Sequence, residues 1–205
     1  MRGQGYNALD SYPPPAKAEA PFLSTPTERS ARCLTRFMYK RTYVFFLDLK
    51  GMLHNDTVRT KTNASALKHA PFVDFFFRRL KKNKTTDEFS EKYPFVSFCG
   101  AERNLLRCAD TPIVFHEYQQ PQDAKPAALC YAATLLQEFD VSRLCVCRAS
   151  GRLYHAVDAL PGQSGLLASS LAEKLCVDFG LDMREDGSFV LTRSHSQLVL
   201  PWKDT

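Results

Sequence analysis

Apolar and polar residues alternate in short runs along most of this chain, and beyond its N-terminal arm two stretches carry the spacing of an amphipathic helix. Tyr43-Val44-Phe45-Phe46-Leu47 is β-prone and leads into Asp48-Leu49-Lys50-Gly51. Gly51 suits the positive φ of a tight turn before Met52-Leu53-His54, so the pair reads as a hairpin. A helix is expected to open at Pro71, a favoured first helical position, and to run to about Lys82. Phe72, Phe76 and Leu80 form its stripe, with Val73 and Phe77 beside it. Phe95-Val96-Ser97-Phe98, bounded by Pro94 and Gly100, reads as a strand. Leu105 to Cys108 and Ile113 to Phe115 flank Ala109-Asp110-Thr111-Pro112, whose Asp and Pro suit a turn, and so read as two arms of a hairpin. Alternation sends Asn104, Leu106 and Cys108 to one face of the first arm, and Leu105 and Arg107 to the other.

After a polar, Pro-bearing loop at 119–127, residues 129–136 read as one strand and 139–144 as a helical turn or loop. Cys145-Val146-Cys147-Arg148 and Arg152-Leu153-Tyr154-His155 form a further hairpin across Ala149-Ser150-Gly151. A second helix is expected over about 165–179, with Leu167, Leu171 and Leu175 on its stripe and Gly180 placed to stop it. A last strand pair spans 189–193 and 198–202, joined by 194–197. The order hairpin, helix, strand and further arm thus occurs twice, once around Gly51 and once around Gly151. The expected fold class is α+β, antiparallel sheets with two main helices, built on a duplicated ββαβ unit. An arm over 1–41 precedes a first αβ half over 42–118, and a second half over 119–205 packs on it.

Composition is that of an ordinary globular protein: 205 residues, 44% hydrophobic and 24% charged, long enough to bury a sizeable core. The net charge, 27 − 22 = +5, mildly favours acidic partners such as nucleic acid or an anionic membrane surface. Seven cysteines, an odd number without a secretory h-region, fit free thiols in a reducing compartment. No apolar run approaches the roughly 20 residues of a membrane helix, so no span is expected.

Charge is distributed unevenly. Pro13-Pro14-Pro15, Pro21 and Pro26 deny the first residues a regular element. The segment RSARCLTRFMYKR at 29–41 then lacks any acid and sets Leu34, Phe37, Met38 and Arg41 at helical spacing. That is the pattern of a mitochondrial targeting segment, or of a basic helix or arm lying on a partner; the early Asp10 and Glu19 are untypical of a presequence. Arg78, Arg79, Lys81, Lys82 and Lys84 form a second basic cluster. It suits a phosphate backbone, RNA included, or simply complements the C-terminus of the first helix.

The densest chemistry lies between Tyr93 and Tyr118, where Glu102, Arg103, Asn104, Arg107 and Asp110 sit among apolar runs. These residues fit an ion-pair and turn network, or an anion or partner-peptide site using the forked donors of Arg103 and Arg107. A third use is catalysis, with Glu102 or Asp110 as general base. Tyr154 and His155 on the later hairpin share these alternatives. A Cys99 nucleophile would need His155 or His116 as base and Glu102 or Asp110 to orient it. No metal site is expected: Cys99 and Cys108 are too far apart for a knuckle, and Cys145-x-Cys147 is not the spacing of structural zinc. Phosphate-cradling, dinucleotide and nucleophile-elbow motifs are absent, so no cofactor is expected.

The central stretch reads Cys99-Gly100-Ala101-Glu102-Arg103-Asn104-Leu105-Leu106-Arg107-Cys108-Ala109-Asp110-Thr111-Pro112-Ile113-Val114-Phe115. It resembles a eukaryotic, mitochondria-associated group, uncharacterised protein family 0598, whose pattern is Cys-Gly-Arg-Glu-Arg-Asn-Phe-Leu-Arg-Cys-Glu-Asp-x-Pro-Val-Val-Phe. The resemblance extends through 43–56, 72–80, Gly151-Arg152-Leu153-Tyr154-His155 and Ser169-Ser170-Leu171. Ala101 stands where the family has Arg, Ala156 where it has Pro, and 63–67 lacks its aromatic and Cys positions. The resemblance implies a mitochondrial, matrix setting and carries no established activity. Two functions follow as expectations. One is a non-enzymatic protein that binds or matures a larger assembly through protein partners, a ribonucleoprotein or a respiratory complex. The other is a small-molecule or anion-binding protein, or an enzyme, with a pocket between the halves at Arg103, Arg107 and His155.

Overall fold

The computed structural model describes residues 41–85, 88–121, 126–184, 188–193 and 196–203. The Pro-rich arm and the basic segment at 29–41, apart from Arg41 itself, lie outside the described residues. The first hairpin forms as its pattern predicts: β1 (Arg41–Leu47) and β2 (Leu53–Asn55) pair antiparallel across Gly51, whose φ is 82°. Helix α1 (Ala70–Arg78) carries Pro71 at its start and buries Val73, Phe76 and Phe77. It stops short of the expected Lys82. The Arg79 N–H closes onto Phe76 O and Phe77 O, and β3 (Leu80–Lys82) leaves to pair with the free edge of β4 (Phe95–Cys99). Leu80 is buried in β3, as an apolar residue on a helix stripe is also expected to be, so its apolar character did not distinguish helix from strand.

β5 (Glu102–Cys108) hairpins with β4 across Gly100 and Ala101, and not with Ile113 to Phe115 as expected. Both hydrogen-bonding edges of β5 are taken, one by β4 and the other by β1 in parallel register. The chain after Cys108 therefore has no edge of β5 to pair with, and it joins the second sheet. That chain is β6 (Val114–Gln119). The predicted alternation on β5 holds: Leu106 enters the main core, whereas Leu105 packs on the opposite face with Val44, Tyr93 and Val96.

Three hairpin arms follow: β7 (Ala128–Tyr131), β8 (Leu135–Glu138) and β9 (Leu144–Cys147). Next come β10 (Leu153–Ala156), β11 (Ser164–Leu167), helix α2 (Ser169–Phe179) and β12 (Leu181–Met183). The chain ends in β13 (Phe189–Arg193), β14 (Ser196–Val199) and β15 (Trp202–Lys203). Three expectations change here. The single strand over 129–136 is broken by a turn at Ala132, whose φ is 56°. The helix expected from Gly165 begins at Ser169, because Gly165 belongs to β11 opposite His155 and under Phe115. A Cβ at 165 would lie 2.5 Å from Phe115 Cε2, so only glycine admits that contact. The last strand pair is divided: β14 pairs β13, while Trp202 joins β9 in the larger sheet.

The sheets run β2-β1-β5-β4-β3, β15-β9-β10-β11-β6-β7-β8 and β12-β13-β14. The fold is α+β, with two α-helices among the described residues and largely antiparallel sheets; the parallel exceptions are β1 with β5, β6 with β11 and β9 with β15. A repeated order is visible in the pairings. A hairpin (β1–β2) is followed by a meander (β3–β4–β5) whose last strand lies parallel to the first strand of the hairpin. The strands β6–β7 and β9–β10–β11 repeat that order with the same senses. The Gly51 hairpin thus corresponds to β6–β7 rather than to the Gly151 hairpin, and β6, placed by pattern in the first half, opens the second sheet. One continuous core spans the two larger sheets and both helices, from Phe45, Phe76 and Leu106 to Phe115, Leu153 and Leu171.

Candidate functional site

The parallel pairing of β1 with β5 sets Phe46 opposite Arg107, and the loop after β2 carries Asp56 beneath them. Asp56 is the centre of this cluster. Arg107 grips both its oxygens at 2.6 Å, Tyr93 donates to it at 2.9 Å, and Lys61 lies 3.1 Å away. The guanidinium also stacks over the Phe46 ring, 4.5 Å from its centroid. Burial by itself would raise the Asp56 carboxyl, but hydrogen bonds from Arg107, Lys61 and Tyr93 outweigh it and hold it below the ordinary carboxylate range. Burial and Asp56 together push the Tyr93 phenol up to about 12. Arg107 is therefore committed inside the protein rather than presented to an anion.

Its neighbours on β5 are also committed. Arg103 is 4% exposed and lies over the Phe89 ring, and Asn104 is buried between Tyr43 and Ser97. Glu102, at the start of the strand, forms a long 3.7 Å ion pair with Arg41 in solvent, an interaction of at most about 1 kcal/mol. Asp110, beyond β5, accepts from Tyr154 at 2.8 Å and from Arg152 at 2.9 Å, which ties the inter-sheet connection to β10. Burial and then Asp110 raise Tyr154 to about 12. His155 is fully buried. Its Nδ1 lies 2.8 Å from Ala156 O and its Nε2 3.0 Å from Asp140 O, with Gln137 and the rings of Phe115 and Phe139 around it. Burial pushes this imidazole below its ordinary value. The residues picked out by sequence thus separate into internal ties: one on Asp56, one on Asp110 and one on His155. They do not line a common pocket, and the Cys99 nucleophile gains no base, since Cys99 faces Glu102 across the hairpin while His155 is held in the other sheet.

Two further clusters went unnoticed in the sequence. Asp48 Oδ2 is 3.1 Å from His54 Nε2, and His54 Nδ1 is 3.4 Å from Ser65 Oγ, in the order of a carboxylate–imidazole–hydroxyl relay. The Ser65 hydroxyl already donates to Thr62 O, and Asp48 Oδ1 accepts the N–H groups of Lys50 and Met52. This relay pins loops. The second cluster surrounds the turn after β7. Asp74, buried on α1, accepts from Ala133 N, Thr134 N and the Thr134 hydroxyl, which fixes the left-handed Ala132. Ala132 O in turn lies 3.1 Å from His116 Nε2. His116 and Ala132 also border a cavity of about 340 Å³, which lies between the first hairpin, residues 63–68 and this turn. A second depression of about 500 Å³ lies over Arg143, Asp158 and 161–164. Neither includes Arg103, Arg107 or His155.

The basic cluster is presented to solvent. Arg78 ends α1, Arg79 caps it, and Lys81 and Lys82 lie on β3 at the edge of the first sheet; these and Lys84 are all exposed. Arg79 and Lys81 lean on the rings of Phe75 and Phe98. Among the described residues, none of these cations forms an ion pair. No helix of the described residues is long and apolar enough to cross a membrane.

Comparison with known proteins bears on kinship rather than on chemistry. Two solved structures are similar in part. One is a DUF1285 family protein from Shewanella baltica OS155, with TM-score 0.46 and 13% identity, covering 67% of this chain and 93% of that one. The other is a DUF1285 family protein from Silicibacter pomeroyi DSS-3, with TM-score 0.48 and 16% identity, covering 80% and 82%. The sequence profile of a domain of unknown function, DUF4505, matches residues 36–200, which takes in every strand described except β15. On that match, the chain belongs to the DUF4505 family.

Proposed function

We propose that this protein is a non-catalytic binding module of a mitochondrial assembly, docking on an acidic partner through the cationic edge at 78–84. One observation carries this reading: an edge strand and helix end that expose Arg78, Arg79, Lys81, Lys82 and Lys84 together, without an ion pair among the described residues. Lysines on an edge strand discourage strand-to-strand association, which leaves the surface to an anionic partner. The aromatic rings beneath Arg79 and Lys81 restrict both side chains, so less rotamer freedom is lost on binding. The saturation of Arg107, Asp110 and His155 by internal partners, and the burial of Arg103, support a binding role over an anion pocket at those residues. The mitochondrial setting follows from the resemblance of residues 99–115 to the eukaryotic uncharacterised family 0598 and from the acid-free segment at 29–41.

Sedimentation of the tagged protein in a mitochondrial extract tests this, with and without RNase and with the double variant Lys81→Glu, Lys82→Glu. A heavy peak that the double variant loses is expected. Collapse of that peak on RNase treatment assigns a ribonucleoprotein, and its survival assigns an acidic protein surface. Wild-type sedimentation at monomer or dimer size overturns the proposal.

A further inference from the structure

We propose that His116, Glu117 and Cys130 form a binding site for a divalent transition metal of the zinc class, independently of the cationic edge. The three side chains bring an imidazole nitrogen, a carboxylate oxygen and a sulfur within 4.8 Å of one another. In a tetrahedral zinc site such donors stand about 3.5 Å apart, so a closure of about 1 Å brings the three to ligand spacing. The mixed N, O and S set suits zinc rather than magnesium or calcium, which take oxygen.

Spacing along the chain gives no sign of this site, because it depends on a defect in the sheet. In a regular strand His116 and Glu117 would point to opposite faces. The register between β6 and β7 slips there, from Phe115 opposite Tyr131 to Glu117 opposite Cys130, with His116 as the extra residue. A bulge of this kind re-aims a side chain. Glu117 and Cys130 are direct cross-strand partners, and His116 is turned toward them.

The support around the imidazole is that of a ligand. His116 Nε2–H donates to Ala132 O at 3.1 Å, which leaves Nδ1 as the nitrogen with a free lone pair. Histidines that bind metals characteristically donate their other N–H to a backbone carbonyl or carboxylate in this way. That carbonyl is itself held: Ala132 is the non-glycine residue with positive φ among the described residues, and the buried Asp74 fastens the turn through Ala133 and Thr134. Cys130 is 3% exposed, Glu117 exposed and His116 half-buried, so the site runs from core to solvent. His116 also borders the 340 Å³ cavity, where Lys50 and Lys68 lie. A metal held by three protein ligands there keeps a position for water or a small anion.

Cobalt(II) titration of the full chain under reducing conditions tests the site, because cobalt reports its ligands by colour and zinc displaces it. One equivalent is expected to bind with a thiolate-to-cobalt charge-transfer band and the visible bands of a four-coordinate ion. Cys130→Ser removes the charge-transfer band. His116→Ala and Glu117→Gln weaken binding roughly tenfold or more, while Cys99→Ser changes nothing. Circular dichroism and urea midpoints check each variant for folding, and should the buried Cys130→Ser fail to fold, His116→Ala and Glu117→Gln decide. Absence of saturable cobalt binding, or binding unchanged in those two variants, overturns the proposal.

Discussion

The Asp56 cluster is built on the first of the two larger sheets and the His116 cluster on the second, and they use polar residues in opposite ways. Around Asp56, three donors from distant positions converge on one carboxylate and saturate it. Around His116, several lone-pair donors converge with no cation among them, and the surrounding backbone is spent on orienting the ring. The first arrangement is finished within the chain and contributes stability. The second is completed by something from outside. Chemical density in the sequence pointed to Arg107 of the first but not to Asp56; the second is marked by a bulge and a left-handed alanine.

The largest expected effect that separates the two comes from Asp56→Ala. Removing the carboxylate leaves Arg107, Lys61 and Tyr93 facing a buried gap, and breaking one partner of a buried pair costs about 3–5 kcal/mol. The side chain of Arg107 is 35% exposed, which places the loss nearer about 3 kcal/mol. Urea unfolding measures it, and a loss below about 1 kcal/mol would show the cluster to be decorative. Glu117→Gln, by contrast, is expected to change stability by less than about 0.5 kcal/mol, as for surface positions generally.

Gly165→Ala ranks next. Its Cβ would meet Phe115 at 2.5 Å, next to the bulge, and overpacking of this kind costs about 1–3 kcal/mol. Thermal unfolding reads that loss, and an unchanged midpoint would mean that Phe115 is free to move.

The pH dependence sharpens the contrast further. The folded-state value of His155 is depressed by burial, so the unfolded chain binds the proton more readily. Its contribution is full above the unfolded value of 6.5 and declines as pH falls from there toward the folded value, with a slope of at most about 1.4 kcal/mol per pH unit. Asp56 and Asp74 are also depressed, but as acids: their contribution is full above the unfolded value of 3.8 and is lost as pH falls below it. Denaturation midpoints between pH 7 and pH 5 should therefore fall in the wild type and stay flatter in His155→Gln, with the carboxylates acting only in stronger acid. Tyr154→Phe removes one hydrogen bond to Asp110, which Arg152 still satisfies, for a loss of about 1 kcal/mol read by urea unfolding.

Much of the framework was legible because it is local. Hydrophobic alternation located β1, β4, β5 and β10, Pro71 located the start of α1, and Gly51 and Gly180 located a turn and a helix end. Element ends were less legible where a short apolar run is compatible with two conformations. Leu80 sits equally well at the end of a helix or in β3, and the run Gly165-Leu166-Leu167 is a strand only because Phe115 and His155 lie beside it. The roles of Arg107, Asp110 and His155 were illegible for a related reason, since their partners Asp56, Tyr154 and Gln137 are supplied by other parts of the chain.

The sequence by itself determined the class of the protein: strand-rich α+β, two helices, no apolar stretch suited to a membrane helix, and cations gathered at 78–84. Those features depend on propensity, periodicity and composition, which act within a few residues. Tertiary structure alone decided which strands share an edge, which charges neutralise one another, and where a slipped register gathers His116, Glu117 and Cys130. Each of these is a competition between distant segments for the same hydrogen-bonding edge or the same buried volume. Its outcome is set by the whole core, not by any one run of residues.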